Sequence, residues 1–409
     1  MTAPADAADL DVFAAETVDD PYPLYARLRE AAPVHNVPGT AFYLVSSWDL
    51  VTEASGRTGD FSSNLRGILV QDADGKPERF GMDMDGTVEQ VLATADGADH
   101  KLHRKLVIQA LARRIRALET TMDDLVRQCW DEHARDGRVD WTGAVADRLP
   151  PTVLARLLGI PDEDIPRLLK SAYESVELLG GLVPPERLDY LLGSTLELAG
   201  YLEAQLAAAT GNPGDGLLGV LGTAVADGEV ESGTAVMMLM QLVGAGAETT
   251  AGLIGTAARQ LAQRPGLQDQ LRADPALIDP FLDECLRVEP PLRGHYRVIT
   301  RDTELGGVRL PAGGHLLLLW SAANRDPGRY ERPDEIDLTR SGIRQHLAFG
   351  KGLHFCVGSP LARLEATAAV RVLLERTRTF ALDPAVPPRW VRSVVVRRHA
   401  ALSLTYEPA

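Results

Sequence analysis

A single cysteine near the end of the chain stands in the run Phe349-Gly350-Lys351-Gly352-Leu353-His354-Phe355-Cys356-Val357-Gly358, with apolar helix-forming sequence beyond it. Glycines let a backbone turn tightly, and aromatics can cover a ring, so this run can present a lone thiolate to a flat metal cofactor. Thiolate is one of the few axial ligands of haem iron, and it pushes electron density onto the metal in a way that favours O–O cleavage. A free cysteine is more often a buried structural residue, so the weight rests on the ten patterned residues. Upstream, Leu242-Val243-Gly244-Ala245-Gly246-Ala247-Glu248-Thr249-Thr250 puts a carboxylate and a hydroxyl directly after two glycines in apolar sequence. Each glycine inside a helix loses about 1 kcal/mol relative to alanine, so Gly244 and Gly246 point to a close approach or a kink. Glu248 and Thr249 together could move protons; the ordinary alternative is a polar pair bonded back to its own helix.

Two weaker signals carry charge. Glu284-Cys285-Leu286-Arg287 sets an acid and a base at i and i+3, ahead of Pro290-Pro291 and the segments Asn324-Arg325-Asp326-Pro327 and Tyr330-Glu331-Arg332-Pro333. Alone, such a pair is usually a solvated helix decoration. His100 and Arg104 are one helical turn apart and share a face, and Arg297 and His354 add further cationic groups.

In this order, the segments resemble those of the cytochrome P450 family, from Asp20-Pro21-Tyr22-Pro23 to the C-terminal strands. The resemblance implies a mainly α fold with small β-sheets (α+β), with haem between the long oxygen-activating helix and the cysteine loop. It implies haem b (iron protoporphyrin IX) with Cys356 as the iron ligand, and Phe349 and Gly352 belonging to the haem loop. Ala245 and Gly246 fall on the oxygen-activating helix, with Glu248 and Thr249 as the proton-handling pair. His100, Arg104, Arg297 and His354 fall on cations of the haem propionates. Glu284 and Arg287 match a buried structural pair, for which Arg332 is the expected third member. The implied activity inserts one oxygen atom of O2 into a small organic substrate by hydroxylation, epoxidation or oxidative demethylation, in natural-product tailoring or catabolism. A peroxygenase or oxidative-coupling relative often lacks the acid–alcohol pair, and a non-enzymatic haem sensor or carrier needs none.

The chain departs from the family pattern at Leu292-Arg293-Gly294-His295-Tyr296, where polarity replaces apolar residues. Arg293 or His295 either meets a polar substrate group or joins the propionate network, the latter favoured for His295. Met82, Met84 and Leu242 are further candidate substrate contacts.

To position these groups, the chain offers mostly helix. Apolar residues at three- and four-residue spacing predict helices around Pro23–Glu30, Lys101–Leu118, Met122–Arg135, Pro151–Leu158, Tyr190–Ala209, Ser232–Gln263 and Pro360–Arg376. The clearest strands are Ala41–Ser46, Val308–Leu310 and Leu316–Trp320. Leu65 to Val91 and Leu178 to Pro185 read as irregular loops, which within the resemblance roof the substrate pocket. No repeat or linker divides the chain, so one domain over 1–409 is expected.

The 409 residues are 45% hydrophobic and 24% charged, as in ordinary globular enzymes. Cys129, Cys285 and Cys356 lack metal-finger or disulfide spacing. The acidic N-terminus is unlike a secretory signal, and the apolar run Ala235 to Ala247 is shorter than the roughly 20 residues that span a bilayer. A net charge of −15 disfavours nucleic acid and anionic membranes as partners. A reducing cytoplasm is expected. With no nucleotide fingerprint and no iron–sulfur cysteines, a separate redox partner is expected, which the resemblance implies to be a ferredoxin with an NAD(P)H-dependent ferredoxin reductase. A basic stretch at Arg104, Lys105, Arg113, Arg114 and Arg116, with Lys351, is the expected docking patch.

Overall fold

The computed structural model describes residues 10–409 except 84, 85 and 87, and of Arg113 only the backbone. Met84, a candidate substrate contact, therefore lies outside the described residues.

The molecule is built around one helix, Ser232–Ala262, of 31 residues. Its length and composition would let it cross a membrane, but 61% of its most apolar window is buried inside the protein. Apolar residues on every side explain this position: Leu239, Val243, Ala247, Ala251, Ile254 and Leu261 pack into the main core with Trp141, Leu149, Phe281 and Leu373. A helix apolar all round is stable only where neighbours cover it. Those neighbours include Leu149–Leu158, Ile165–Glu177, Pro185–Gly211 and Ser359–Arg376.

Three glycines let partners come close. A Cβ at Gly244 would stand 2.7 Å from Val176 Cγ1, one at Gly252 2.8 Å from the Arg397 carbonyl oxygen, and one at Gly255 2.9 Å from His399 Nδ1. At Gly246 the nearest atom, Leu154 Cδ1, is at 3.5 Å, an ordinary contact, so only Gly244 of the two helical glycines in the 242–250 segment serves a close approach.

The sheets are small. Val34–Asn36, Phe42–Val45, His315–Leu318, His295–Ile299 and Phe61–Ser62 form the largest in that spatial order, with only the Phe42–Val45 and His315–Leu318 pair parallel. Thr377–Leu382, Ser403–Pro408 and Arg138–Asp140 form a second. The expected strand to Trp320 stops at Leu318, because Trp320–Ala323 coils into a helical turn. The stretch expected to be irregular from Leu65 to Val91 contains a hairpin, Gly67–Gln71 against Pro77–Gly81. Ile68 and Leu69 bury their side chains there, while Gly75, at φ +82°, closes the turn. Helices at Trp48–Gly56, Leu217–Ala226 and Pro265–Ala273 carry too short a periodic signal to stand out.

Candidate active site

The cysteine loop begins just after a short helical turn at Ile343–Gln345 and ends at the helix Ser359–Arg376. Gly350 and Gly352 both take positive φ, +69° and +74°, a region that favours glycine. The bend brings the Cys356 N–H 2.9 Å from the Phe349 carbonyl oxygen. Burial pushes the Cys356 thiol above its ordinary value, while the nearby N–H groups of Gly358 and Ser359 and the charge of Arg104 pull it down. Cys356 nonetheless presents open surface. Both observations hold for a thiol recessed in a cleft, where protein atoms crowd it on most sides and one side stays uncovered. Arg104 donates to the Phe355 carbonyl oxygen at 2.7 Å and so ties its own helix, Gly97–Glu119, to the loop.

A second group gathers imidazoles and a guanidinium. The His100 and His354 rings lie 4.2 Å apart, and His354 Nε2 stands 3.7 Å from Asp96 Oδ1. Burial, then the charges of His354 and Arg104, lowers His100 to about 4. His295 falls to about 3 through burial, then through Arg297 and His354. Arg297 is buried, is pulled down to about 10 by that burial, and donates to the Tyr296 carbonyl oxygen at 2.8 Å. His354 Nδ1 is buried without a hydrogen-bond partner. The sequence-derived residues His100, His295, Arg297 and His354 thus share one neighbourhood, joined by Asp96.

On the central helix, Leu242, Ala245 and Thr249 are partly or fully open, while Val243, Gly244, Ala247, Glu248 and Thr250 are buried. These three residues are at i, i+3 and i+7, and with the partly open Gly246 at i+4 they form one uncovered stripe along this stretch of the helix. The Thr249 hydroxyl donates to the Ala245 carbonyl oxygen at 2.7 Å. Glu248 turns the other way. Its Oε1 accepts from Arg398 Nε at 3.2 Å, and Arg398 Nη1 donates to Asp147 Oδ1 at 3.0 Å. The Tyr173 hydroxyl is 3.3 Å from the same carboxylate, and the Arg398 guanidinium lies over the Tyr173 ring at 4.5 Å. Burial raises the Glu248 carboxyl above its ordinary value despite the lowering pull of Arg398.

Two sequence-derived residues stand elsewhere. Arg332, expected to complete the Glu284–Arg287 pair, is exposed at φ +47° and turns to Glu335 at 2.8 Å and Asp337 at 3.3 Å. The third member is Arg340, buried, whose Nε is 3.1 Å from Glu284 Oε1. Glu284 and Arg287 meet at 2.5 Å with neither side chain exposed. Arg293 is buried and donates to the Val18 carbonyl oxygen at 2.7 Å, so its guanidinium holds the N-terminal segment against the core. Met82 packs against the cluster of Ile68, Leu69, Val394 and Val395, near Leu178 and Leu182. A cavity of about 750 Å³ lies apart from all of these, between Tyr22, Arg259, Glu289, Trp390 and Arg397.

Arg398, Asp147, Tyr173 and Arg340 escape motif reading because they share no segment with their partners. The one local signal is the run Val394-Val395-Val396-Arg397-Arg398-His399, where three basic residues follow a buried apolar triplet.

A family model, "Cytochrome P450", matches residues 203–396. Cytochrome P450 144 from Mycobacterium tuberculosis is 47% identical over 396 residues, covering 97% of this chain and 91% of that protein. The chain belongs to the cytochrome P450 family. The cytochrome P450 monooxygenase PikC of Streptomyces venezuelae is 32% identical over 99% of this chain and 95% of its own. The structure of cytochrome P450 CYP109Q5 from Chondromyces apiculatus superposes with a TM-score of 0.84 at 30% identity, covering 98% and 99% of the two chains. This P450 is accordingly a monooxygenase, an oxidoreductase of the haem-thiolate type whose relatives act on small organic substrates.

Proposed function

We propose that Cys356 ligates the iron of haem b and that the protein inserts one atom of O2 into a small organic substrate by hydroxylation, epoxidation or oxidative demethylation. The observation that carries this reading is the cysteine loop: a recessed thiol, open on one side, near the backbone N–H groups of Gly358 and Ser359 at a helix start. Such donors favour thiolate over thiol. The second cluster suits the propionates, because it holds a buried cation, Arg297, and a buried nitrogen, His354 Nδ1, that has no hydrogen-bond partner. His100 and Arg104 flank it. The open stripe at Leu242, Ala245 and Thr249 would face the flat ring and the substrate beside it.

When bound, the haem supplies reductive activation of O2, so that substrate R–H, O2, two electrons and two protons give R–OH and water. The chain's own residues manage the protons. Glu248, its carboxyl raised by burial, holds a proton more readily than a surface acid. Arg398 links it to the partly exposed Asp147, the outward end of the chain of polar groups. The Thr249 hydroxyl must leave the Ala245 carbonyl to donate elsewhere, so it is a donor held in reserve. Leu242, Met82 and the loops around Leu178 and Val394 supply apolar surface that excludes water. Electrons come from a ferredoxin and its NAD(P)H-dependent reductase, in the cytoplasm, with no nucleic-acid or membrane partner.

The test is the ferric absorption spectrum of purified protein titrated with terpenoids, macrolides, fatty acids and small aromatics, followed by reduction under carbon monoxide. The expected outcome is a thiolate-type ferrous–CO band in the parent, its loss in Cys356→Ser, and a low-spin to high-spin shift with one ligand class. A parent protein that loads haem without a thiolate-type band overturns the assignment of Cys356.

A further inference from the structure

Asp283, the residue before the family's structural Glu284, is fully buried on the helix Ile278–Val288. A buried carboxylate is costly unless paired and hydrogen-bonded, and it adds nothing to the Glu284–Arg287–Arg340 triad beside it. Its partners come from the two sides of the cysteine loop. From the entry side, His346 Nε2 stands 3.2 Å from Asp283 Oδ1. From the exit side, Arg363 Nη1 stands 2.5 Å from the same oxygen. Arg344 Nε is 3.4 Å from Oδ2, without hydrogen-bond geometry.

The tautomer of His346 follows from its other nitrogen. Nδ1 lies 3.2 Å from the Ala348 N–H, which can only donate, so Nδ1 accepts and Nε2 carries the hydrogen given to Asp283. The imidazole is therefore a neutral strut between the carboxylate and the loop backbone. Both struts then meet on one ring. The His346 and Phe349 ring centroids are 5.8 Å apart, and the Arg363 guanidinium lies 5.1 Å from the Phe349 centroid. Phe349 is the residue whose carbonyl oxygen accepts the Cys356 N–H at 2.9 Å. Next to His346, the Leu347 N–H donates to Asn324 Oδ1 at 2.7 Å, fixing the entry a second time.

We propose that Asp283 is a positioning residue for the Cys356 loop: one buried carboxylate clamps His346 before the loop and Arg363 after it, and so fixes Phe349 and the presentation of the Cys356 sulfur. The clamp rests on Cys356 being the iron ligand. It also makes Asp283 and Arg363 an opposite-charge pair against Phe349, on the loop that carries that sulfur. Removing the carboxylate leaves a cation there, which favours the electron-rich reduced iron; removing the guanidinium does the reverse.

The test uses haem-loaded Asp283→Asn, Arg363→Gln and His346→Gln, with Glu289→Gln as a control. Glu289 is an equally buried carboxylate paired with Arg259 and Arg397, away from the loop. Measured are the ferric/ferrous potential, the rate at which the ferrous–CO complex loses its thiolate-type band, and thermal unfolding. The expected result is a positive potential shift in Asp283→Asn, a negative shift in Arg363→Gln, faster band loss in all three loop variants, and neither effect in Glu289→Gln despite its lower melting temperature. If Asp283→Asn fails to load haem, the negative shift in Arg363→Gln with faster band loss in His346→Gln carries the proposal, and parent values in both sink it. Equal potentials across the loop variants, or the same changes in Glu289→Gln, overturn the clamp while leaving the thiolate reading intact. A parent without the thiolate-type band defeats the thiolate reading itself.

Discussion

Burial and charge pull Glu248 in opposite directions, and burial wins, so its carboxyl sits above the ordinary range despite Arg398 at 3.2 Å. A folded pKa above the unfolded one means the native state holds the proton more tightly. Ionisation of Glu248 therefore subtracts from stability as the pH rises through the folded pKa, and this loss is absent below the unfolded value. Glutamine keeps the shape without the charge, and Arg398 keeps Asp147 at 3.0 Å. Glu248→Gln is thus expected to melt at or above the parent at neutral pH, while ferredoxin-driven kcat falls by roughly 10²-fold, the lower end of general acid–base contributions. Spectroscopic substrate affinity should hold. A variant that melts several degrees lower and turns over normally would reduce Glu248 to a structural partner of Arg398.

At the level of elements, what repeats along the chain is legible, and what depends on distant partners is not. The spacing of apolar residues gives Met122–His133 and Ser359–Arg376 nearly to the residue. It also signals the central helix, whose glycines mark where neighbours press in. The hairpin at Gly67–Gln71 and Pro77–Gly81 escapes because its strands are short and the second, with Glu78 and Arg79 adjacent, shows no alternation of apolar and polar residues. Arg332 is mistaken for Arg340 because both lie in the irregular stretch after Asn324, where Arg332 turns to Glu335 and Asp337 and Arg340 reaches Glu284. The cysteine loop reads well since its chemistry is local; the Asp147–Arg398–Glu248 chain does not, as its members come from three distant segments. The glycines offer a test. Gly193, inside Pro185–Gly211, has nothing within 4 Å of an added Cβ, whereas at Gly252 the Arg397 carbonyl oxygen stands at 2.8 Å and Pro291 Cβ at 2.9 Å. Alanine gains about 1 kcal/mol of helix propensity at either site, but overpacking typically costs 1–3 kcal/mol, about as much or more. Gly193→Ala should therefore raise the melting temperature and Gly252→Ala lower it; equal shifts of one sign would mean the central helix relaxes freely.

Across the whole molecule, a net charge of −15 repels acidic proteins on average, so an acidic ferredoxin needs a local exception. The helix Gly97–Glu119 supplies one. Lys101, Lys105, Ile108, Ala112 and Arg116 are all exposed and fall on one face by their spacing. Arg104 joins this helix to the cysteine loop at Phe355, where Lys351, Leu353 and Phe355 are also exposed. Arg114 points differently, with its Nε buried and unpartnered. A docking face for the proposed ferredoxin would thus centre on Lys101, Lys105 and Arg116 with an apolar middle, next to the loop of the proposed iron ligand. Complementary charge at such a face acts mainly on the encounter rate and is screened by salt. Reversing Lys105 and Arg116 to glutamate is expected to slow reduction by an acidic ferredoxin about tenfold or more at low salt. The gap should narrow as salt is raised, while reduction by dithionite, which needs no docking, stays at the parent rate. Stopped-flow reduction under carbon monoxide reads both. A variant reduced by ferredoxin at the parent rate in low salt would move the electron entry face off this helix.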